Sequence, residues 1–265
     1  MSFPLRRDGQ ILEGEEEGEG PVVVGLHGLT ATRRYVLMGS SALERSGRRV
    51  VLYDARGHGG SGPAPGGDYS FAAQAADLEA VIGTLDGGPA VLIGASMGAH
   101  TALALALQAP ALVAGLVLVT PAYDPERPHG DLEHWDSLAR GLREGGVEGF
   151  VSAYDLEALP EAWRGTIETV LRQRIAAHEH PDAVADALEA VPRSRPFERW
   201  EQLHSITAPA IVVASRDEAD PSHPLALGRR YAQEIPGARL HVEEEGRSPL
   251  AWQGGQLSRL LLDFP

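Results

Sequence analysis

Residues 90–98 read Ala-Val-Leu-Ile-Gly-Ala-Ser-Met-Gly, and this stretch decides the fold that we expect for the chain. Its first part, 90–95, is a continuous apolar run, which is typical of a buried strand. The run leads directly into Gly-x-Ser-x-Gly, and a buried helix is predicted over 97–108. The two glycines relieve crowding in the tight turn between strand and helix. The turn therefore places Ser96 beyond the end of the strand, where its hydroxyl is a candidate nucleophile.

The same turn places the amide of Met97 at the start of the predicted helix, where it can stabilise an oxyanion. A second donor is expected from Leu29, because His27-Gly28-Leu29 follows the first strongly apolar run, 22–26. His27 itself is interpreted as a turn histidine that is hydrogen-bonded to the backbone. The sequence therefore predicts an oxyanion hole built from two backbone amides.

Apolar runs of the same kind recur along the chain, at 22–26, 49–53, 90–95, 115–120, 210–214 and 239–243. They are continuous rather than alternating, and helical patterns separate them. Both features are typical of a mostly parallel sheet with helices on its two faces, so we predict an α/β fold. Residues 13–20, which are rich in Glu and Gly, are interpreted as a solvated loop.

The alternation of strands and helices stops after Pro121. From about 124 to 203 the sequence contains apolar stripes at helical spacing and no strand pattern. We therefore predict two domains. An α/β core is formed by 1–123 and 204–265, and 124–203 form a helical cap that lies over Ser96.

Four features, in this order along the chain, resemble the α/β-hydrolase superfamily, in particular its capped carboxylesterase, lipase and peroxidase-like members. They are His27-Gly28, the segment Asp54-Ala55-Arg56-Gly57-His58-Gly59, the turn around Ser96 and the acidic loop after 210–214. The features span nearly the whole chain. The resemblance implies the α/β-hydrolase fold with an inserted helical cap, and a triad of Ser, acid and His in that chain order.

Two carboxylates are candidates for the acid that the resemblance implies. Counting forward from Pro209 favours Asp217. Counting back from Ile235-Pro236-Gly237-Ala238 favours Asp220, and so does the match of 220–224 to the family's Asp-Pro-x-x-Pro pattern. Asp220 is our first choice, and Asp217 remains the alternative.

The resemblance also implies a histidine after the last strand, in a Gly-His pair before a stretch like Ser-Pro-Leu. The chain has Gly246-Arg247-Ser248-Pro249-Leu250, so Arg247 stands at the usual position of the histidine. An arginine stays protonated and cannot accept the proton of the serine. We predict that the Arg247 guanidinium pairs with the acid-loop carboxylate. His223 is the first alternative acid or base, ahead of His100 and His241.

These observations favour a hydrolase that acts on small carboxylic esters through Ser96, and that is slow because the base is missing. The alternative is a catalytically degenerate protein of the same fold, which binds a small anionic ligand under the cap. In that alternative Arg247 is the cation that holds the ligand.

The composition limits the partners. The 265 residues carry a formal net charge of −14, which argues against nucleic-acid binding and against docking on an anionic membrane. The chain has no Cys and no Lys, so a Cys nucleophile and a Schiff-base lysine are excluded. We expect no metal and no cofactor, and a small-molecule ester or carboxylate as the partner. Residues 1–8 lack the apolar segment of a signal peptide, so we expect a cytoplasmic protein.

Overall fold

The structure is a computed structural model that describes residues 2–7, 9–127, 132–216, 220–262 and 264. Its strands are β1 (Ser2–Arg7), β2 (Gln10–Glu17), β3 (Val22–Leu26), β4 (Arg49–Tyr53), β5 (Ala90–Ala95), β6 (Val113–Val119), β7 (Ala210–Ala214) and β8 (Arg239–Val242). They form one eight-stranded sheet in the order β1-β2-β4-β3-β5-β6-β7-β8. Strands β3 to β8 are parallel, and β1 and β2 join them as an antiparallel hairpin.

The six strands predicted from apolar runs are all present. Four of them have the predicted bounds, β6 begins two residues earlier than predicted, and β6 and β8 each end one residue earlier. Neighbouring residues of a strand face opposite sides of the sheet. Val24 and Leu92 therefore pack into one core cluster, while Val23 and Ile93 pack into a second cluster on the other face. Both faces are covered, which is why the runs are continuous.

The N-terminal hairpin corrects one expectation. Residues 13–17 belong to strand β2 and are not part of a solvated loop. Within this strand Gln10, Leu12 and Gly14 are buried, and Glu13 and Glu15 lie at alternate positions. The strand pairs antiparallel with β4, where Gly14 lies opposite Tyr53. Only Ile11 and Leu12 are apolar in this strand of the edge hairpin, so no strand pattern was recognisable.

The helices are α1 (Ala42–Arg45), α2 (Phe71–Gly83), α3 (Met97–Gln108), α4 (Leu132–Ala153), α5 (Glu161–Ile175), α6 (Pro181–Ala190), α7 (Leu225–Glu234) and α8 (Gly254–Leu260). Helix α2 begins after Ser70, whose side chain accepts a hydrogen bond from the Ala73 amide. Helix α3 is buried nearly all round, as its sequence predicts. Among the helices of the described residues, none has the length and apolar character that a membrane span requires.

Helices α4, α5 and α6 lie between β6 and β7, and we call them the inserted helices. No described residue between 124 and 203 is in a strand. Helix α4 is tied to α6 by Arg143, which forms ion pairs with Asp186 at 2.7 Å and Glu189 at 2.6 Å. The insertion is helical, as predicted. The division of the chain into a core and a cap stays a prediction.

The turn from β5 to α3 depends on the absence of side chains at its glycines. A Cβ on Gly94 would lie 2.3 Å from the carbonyl carbon of Gly98. A Cβ on Gly98 would lie 2.4 Å from the carbonyl oxygen of Leu26 in β3. Real Cβ contacts are never so short, so strand and helix approach this closely only with glycine at both positions.

We expect Gly94→Ala to lower the free energy of unfolding by roughly 1–3 kcal/mol, because the backbone must shift to admit the methyl group. The measurement is the midpoint of urea unfolding. The matched control is Gly83→Ala at the end of α2, where a Cβ meets nothing within 4 Å. That control should be neutral or stabilising by up to about 1 kcal/mol. Equal midpoints for the two variants would contradict the close approach.

Candidate active site

Ser96 lies between β5 and α3 in a strained backbone conformation. Its φ is 49° and its ψ is −109°, in the left-handed half of the map that non-glycine residues rarely occupy. The conformation is held on both sides, since the Ser96 amide donates to the Val119 carbonyl at 2.9 Å and its carbonyl accepts from the His100 amide at 3.1 Å. The serine is therefore fixed at the carboxyl end of β5, as the Gly-x-Ser-x-Gly pattern predicts.

His223 lies beside Ser96 because a tight turn carries it there. The turn is Asp220-Pro221-Ser222-His223, closed by a hydrogen bond of 3.2 Å from the His223 amide to the Asp220 carbonyl. Proline stands at the second position of the turn, which it favours in β-turns. Nε2 of His223 lies 2.9 Å from Oγ of Ser96, and Nδ1 lies 2.8 Å from Oδ1 of Asp220. Carboxylate, imidazole and hydroxyl thus form one continuous chain.

The charges of Asp220 and His223 stabilise each other. Burial lowers the pKa of His223, but the charge of Asp220 and its hydrogen bond outweigh burial and leave this pKa above the ordinary value. Burial raises the pKa of Asp220, but the charge and hydrogen bond of His223 outweigh it and leave this pKa below the ordinary value. The proton on Nδ1 is therefore directed at Asp220, and Nε2 of the neutral ring is free to accept a proton.

We expect kcat/KM for 4-nitrophenyl acetate to rise with pH through the pKa of His223, because only the neutral ring accepts a proton. Asp220 raises that pKa, so the midpoint should lie above about 6.5, the value of an unperturbed histidine. In Asp220→Asn the midpoint should move to lower pH and the plateau should fall. A wild-type midpoint below that of Asp220→Asn would be incompatible with this pairing.

Two backbone amides near Ser96 are free to bind a ligand. In the part of the chain that the structure describes, neither the Leu29 amide nor the Met97 amide has a protein acceptor. Met97 is the first residue of α3, so its amide is one of the unpaired donors of the helix N-terminus. The loop that carries Leu29 adjoins the serine, since a Cβ on Gly28 would lie 3.7 Å from the Cβ of Ser96.

His27 fixes the peptide group that carries the Leu29 amide. Its Nδ1 donates to the Gly28 carbonyl oxygen at 2.8 Å, and the Ala31 amide donates to the same oxygen at 2.9 Å. The amide and the carbonyl of a trans peptide point in opposite directions, so the Leu29 amide points away from both donors. Nε2 of His27 accepts from the Ala55 amide at 2.9 Å, and burial lowers the pKa of His27 to about 3. His27 is thus a neutral residue with both ring nitrogens paired.

His178 joins the inserted helices to the loops at this edge of the sheet. It lies between α5 and α6, where its Nδ1 accepts from the Gly59 amide at 2.9 Å and its Nε2 lies 3.3 Å from the Thr30 carbonyl oxygen. The ring of His58 stands between two others, with centroids 5.1 Å from His27 and 5.5 Å from His178. Burial lowers the pKa of His178 to about 3, so this contact keeps a neutral ring at neutral pH.

The segment 54–59 contacts His27 and His178 through its backbone amides, and buried charges hold it in place. Arg56 is buried and forms an ion pair of 2.7 Å with the buried Asp77 of α2. Asp54 is also buried and accepts from the Arg33 amide at 2.8 Å. Buried charges persist only when they are paired, so these side chains fix the loop between β4 and α2.

Arg174 of α5 is a charged residue close to Asp220 and His223, and the sequence analysis did not identify it. Its charge lowers the pKa of both Asp220 and His223. Its guanidinium carbon lies 5.0 Å from the centroid of the Tyr35 ring. The sequence of α5 was interpreted only through its apolar stripe, which predicts a helix. Nothing in that sequence distinguishes Arg174 from Arg172, which is exposed.

Known proteins match the chain over most of its length. Residues 21–157 match a family model described as the alpha/beta hydrolase fold. The chain belongs to the alpha/beta hydrolase fold family. This result confirms the resemblance stated from the sequence, and it confirms the fold class.

Individual relatives of this alpha/beta hydrolase cover nearly all of it. A 2-hydroxy-6-oxononadienedioate/2-hydroxy-6-oxononatrienedioate hydrolase 2 from Pseudomonas putida is 31% identical over 99% of this chain and 95% of its own. A thermophilic esterase from Thermogutta terrifontis, solved with malate bound, has a TM-score of 0.79 at 25% identity and covers 98% and 96% of the two chains. Est816, described as an N-acyl homoserine lactone degrading enzyme, has a TM-score of 0.78 at 26% identity and covers 99% and 100%. The comparisons support a hydrolase of the alpha/beta fold.

Arg247 departs from the prediction made for it. Its side chain is 72% exposed, and its Nε lies 3.7 Å from Oε2 of Glu244, which is exposed as well. The Arg247 amide donates to the Glu244 carbonyl at 3.1 Å, so a short turn holds the residue away from the acid loop. The Arg247 guanidinium is exposed and pairs with Glu244 instead of a carboxylate of the acid loop. The predicted pair with the acid loop is therefore wrong. The expectation of slow turnover also loses its reason, since His223 stands where a base is required.

Replacing Arg247 by Ala or by His should leave kcat/KM for 4-nitrophenyl acetate within about twofold of wild type, because an exposed ion pair contributes little. Initial rates of 4-nitrophenol release measure this. A tenfold loss in Arg247→Ala, or a tenfold gain in Arg247→His, would show instead that position 247 still belongs to the site.

The remaining candidates take other places. Asp217 lies outside the described residues. His100 is buried, its Nε2 accepts from the amides of Ala122 at 3.1 Å and Tyr123 at 3.0 Å, and burial lowers its pKa to about 3. His241 is part of the edge strand β8. Of the alternative histidines, His223 is the one that the structure brings within hydrogen-bond distance of Ser96.

Proposed function

We propose that this alpha/beta hydrolase cleaves small carboxylic esters, with Ser96 as nucleophile, His223 as general base and Asp220 as the acid that orients the base. The observation that carries the proposal is the distance of 2.9 Å between Nε2 of His223 and Oγ of Ser96, with Asp220 at 2.8 Å on the other ring nitrogen. A nucleophile in contact with a base, and a base in contact with an orienting group, is the arrangement of acyl-transfer enzymes.

In the first half of the reaction His223 takes the hydroxyl proton onto Nε2 while Oγ of Ser96 bonds to the ester carbonyl carbon. The carbonyl oxygen then carries a negative charge, and the amides of Leu29 and Met97 are proposed to donate to it. His223 gives its proton to the alkoxide as the ester C–O bond breaks. The products of this half are an alcohol and an acyl group bound to Ser96.

In the second half a water molecule gives a proton to Nε2 of His223 as its oxygen attacks the acyl carbon. The proton returns to Oγ of Ser96 when the acyl bond breaks, and the carboxylic acid leaves. Asp220 accepts from Nδ1 throughout and stabilises the imidazolium that forms in each half. Its pKa below the ordinary value keeps Asp220 charged in this role at neutral pH.

The inserted helices are proposed to act as a cap over this site. His178 bonds to the Gly59 amide and reaches the Thr30 carbonyl, next to the loop that carries Leu29. Tyr154 follows α4, and its pKa is raised by burial and by the charge of Asp220. Side chains from the insertion thus adjoin both the acid and the proposed oxyanion hole, where they can exclude water from the bound ester.

One relative supports ester hydrolysis in particular, since the protein from Thermogutta terrifontis is an esterase. The protein from Pseudomonas putida is a hydrolase of a dienedioate, and it supports the broader class of hydrolases. The alternative hypothesis was a catalytically degenerate protein that binds an anionic ligand through Arg247. The exposed position of the Arg247 side chain removes the observation on which that hypothesis depended.

His223→Ala should lower kcat for 4-nitrophenyl butyrate by roughly 10²–10⁴-fold, because general-base assistance contributes about that much. Ser96→Ala, which lacks the nucleophile, should lose at least as much. Stopped-flow release of 4-nitrophenol measures it. The matched control is His204→Ala, since His204 is an exposed histidine that pairs with Glu234. A His223→Ala variant as active as His204→Ala would refute His223 as the base.

A further inference from the structure

Arg174 carries a charge at the proposed site, and its guanidinium forms no ion pair with a described carboxylate. Its Nε is fully buried and has no hydrogen-bond partner. Across the described ranges, which omit 217–219 of the acid loop, no carboxylate forms an ion pair with this guanidinium. The contact that it does make is with the face of the Tyr35 ring, 5.0 Å from its guanidinium carbon. A cation–π contact of this kind offsets only part of the cost of burying a charge.

Two other arginines of the same helix form hydrogen bonds with carboxylates. Arg172, on the same helix, bonds to Glu148 at 3.0 Å and to Glu168 at 2.7 Å. Arg164 bonds to Glu157 at 2.9 Å. With 37 acidic and 23 basic residues in the chain, carboxylates are in excess. The lack of an ion pair between Arg174 and a described carboxylate is therefore explained by where Arg174 lies, and not by a shortage of carboxylates in the chain.

The position of Arg174 is next to the proposed catalytic groups. It stands in the last turn of α5, four residues before His178, whose ring reaches the Thr30 carbonyl in the loop that carries Leu29. Tyr35 follows that same loop along the chain. Asp220 is the nearby acid, but its Oδ1 already accepts from His223 at 2.8 Å and from Ser222 at 2.9 Å. Among the described residues no further carboxylate pairs with Arg174, so an anionic ligand can supply the charge that this guanidinium lacks.

We propose that Arg174 binds a free carboxylate of the substrate, so that the preferred substrates are esters that carry a second, unesterified carboxyl group. The inference rests on the proposed ester hydrolysis and adds the substrate class. A guanidinium binds a carboxylate through two parallel hydrogen bonds, and a partly buried guanidinium such as that of Arg174 does so with less competition from water. Arg174 is then a specificity-determining residue, while Ser96 and His223 act on any ester that fits.

A purely structural role makes a different prediction. An arginine in the last turn of a helix interacts favourably with the helix dipole, and it can also hold a neighbouring loop. Either effect changes stability or turnover for all substrates alike. Binding of a carboxylate changes the ratio between anionic and neutral substrates.

The test compares two half-esters with neutral esters of the same shape. Ethyl hydrogen succinate carries its carboxylate on the acyl side and is compared with ethyl 4-methylpentanoate. Butanoyloxyacetate carries it on the alcohol side and is compared with isobutyl butanoate. Hydrolysis is followed by proton release in a pH-stat at pH 7.5. Wild type should favour at least one half-ester, and Arg174→Gln should raise its KM about tenfold to a hundredfold, as the loss of a charged hydrogen bond predicts.

The matched control is Arg172→Gln, which removes an exposed arginine of the same helix and should leave every ratio unchanged. The proposal is overturned if Arg174→Gln preserves the preference for half-esters, if wild type shows no such preference, or if Arg174→Gln lowers anionic and neutral turnover equally.

A binding measurement separates this proposal from the proposed function. Ser96→Ala retains Arg174, so titration calorimetry with each of the two half-esters reports binding without turnover. For at least one half-ester the Kd should be about tenfold or more tighter than in the Ser96→Ala, Arg174→Gln double variant. If wild type hydrolyses no ester but this difference is present, ester hydrolysis fails and the carboxylate site stands, with succinate as a further probe. If esters are hydrolysed but the two Kd values agree, the carboxylate site fails alone.

Discussion

The hydrogen bond between Nδ1 of His223 and Oδ1 of Asp220, 2.8 Å long, is the contact on which the proposed chemistry depends. Both side chains belong to one four-residue turn, so their distance is fixed by local backbone geometry. The bond selects the tautomer in which Nε2 faces Ser96 as an acceptor. The fold therefore needs only one loop, after β7, to bring both an acid and a base to the serine.

The other half of the site depends on close backbone approach. Glycines at 94 and 98 let β5, α3 and β3 meet at distances that no Cβ allows, and Ser96 is held there with a φ of 49°. His27 locks the peptide before Leu29 through the Gly28 carbonyl, at 2.8 Å. These rigid contacts orient an amide and a hydroxyl before any substrate binds, which is what stabilisation of a developing charge requires.

Apolar runs and short motifs predicted the strands and the position of Ser96. They did not predict the direction in which each loop carries its side chains. Continuous apolar runs predicted β3 to β8, and Gly-x-Ser-x-Gly predicted the position of Ser96. Motif position alone suggested that Arg247 lies beside the acid loop, but a turn at Glu244 directs it to solvent. His223 was reached only as an alternative, because a histidine three residues after Asp220 reveals its contact with Ser96 only in three dimensions. Nothing in the sequence distinguishes Arg174, because its special feature is that no described carboxylate forms an ion pair with it.

The most direct measurement of the central claim is the rate at which a fluorophosphonate labels Ser96, with the labelled tryptic peptide identified by mass spectrometry. The reagent requires an activated serine, so the rate reports the base and is independent of the natural substrate. Labelling should fall roughly 10²–10⁴-fold in His223→Ala and stay at the wild-type rate in Arg247→Ala. Labelling of His223→Ala at the wild-type rate would contradict the claim that His223 activates Ser96.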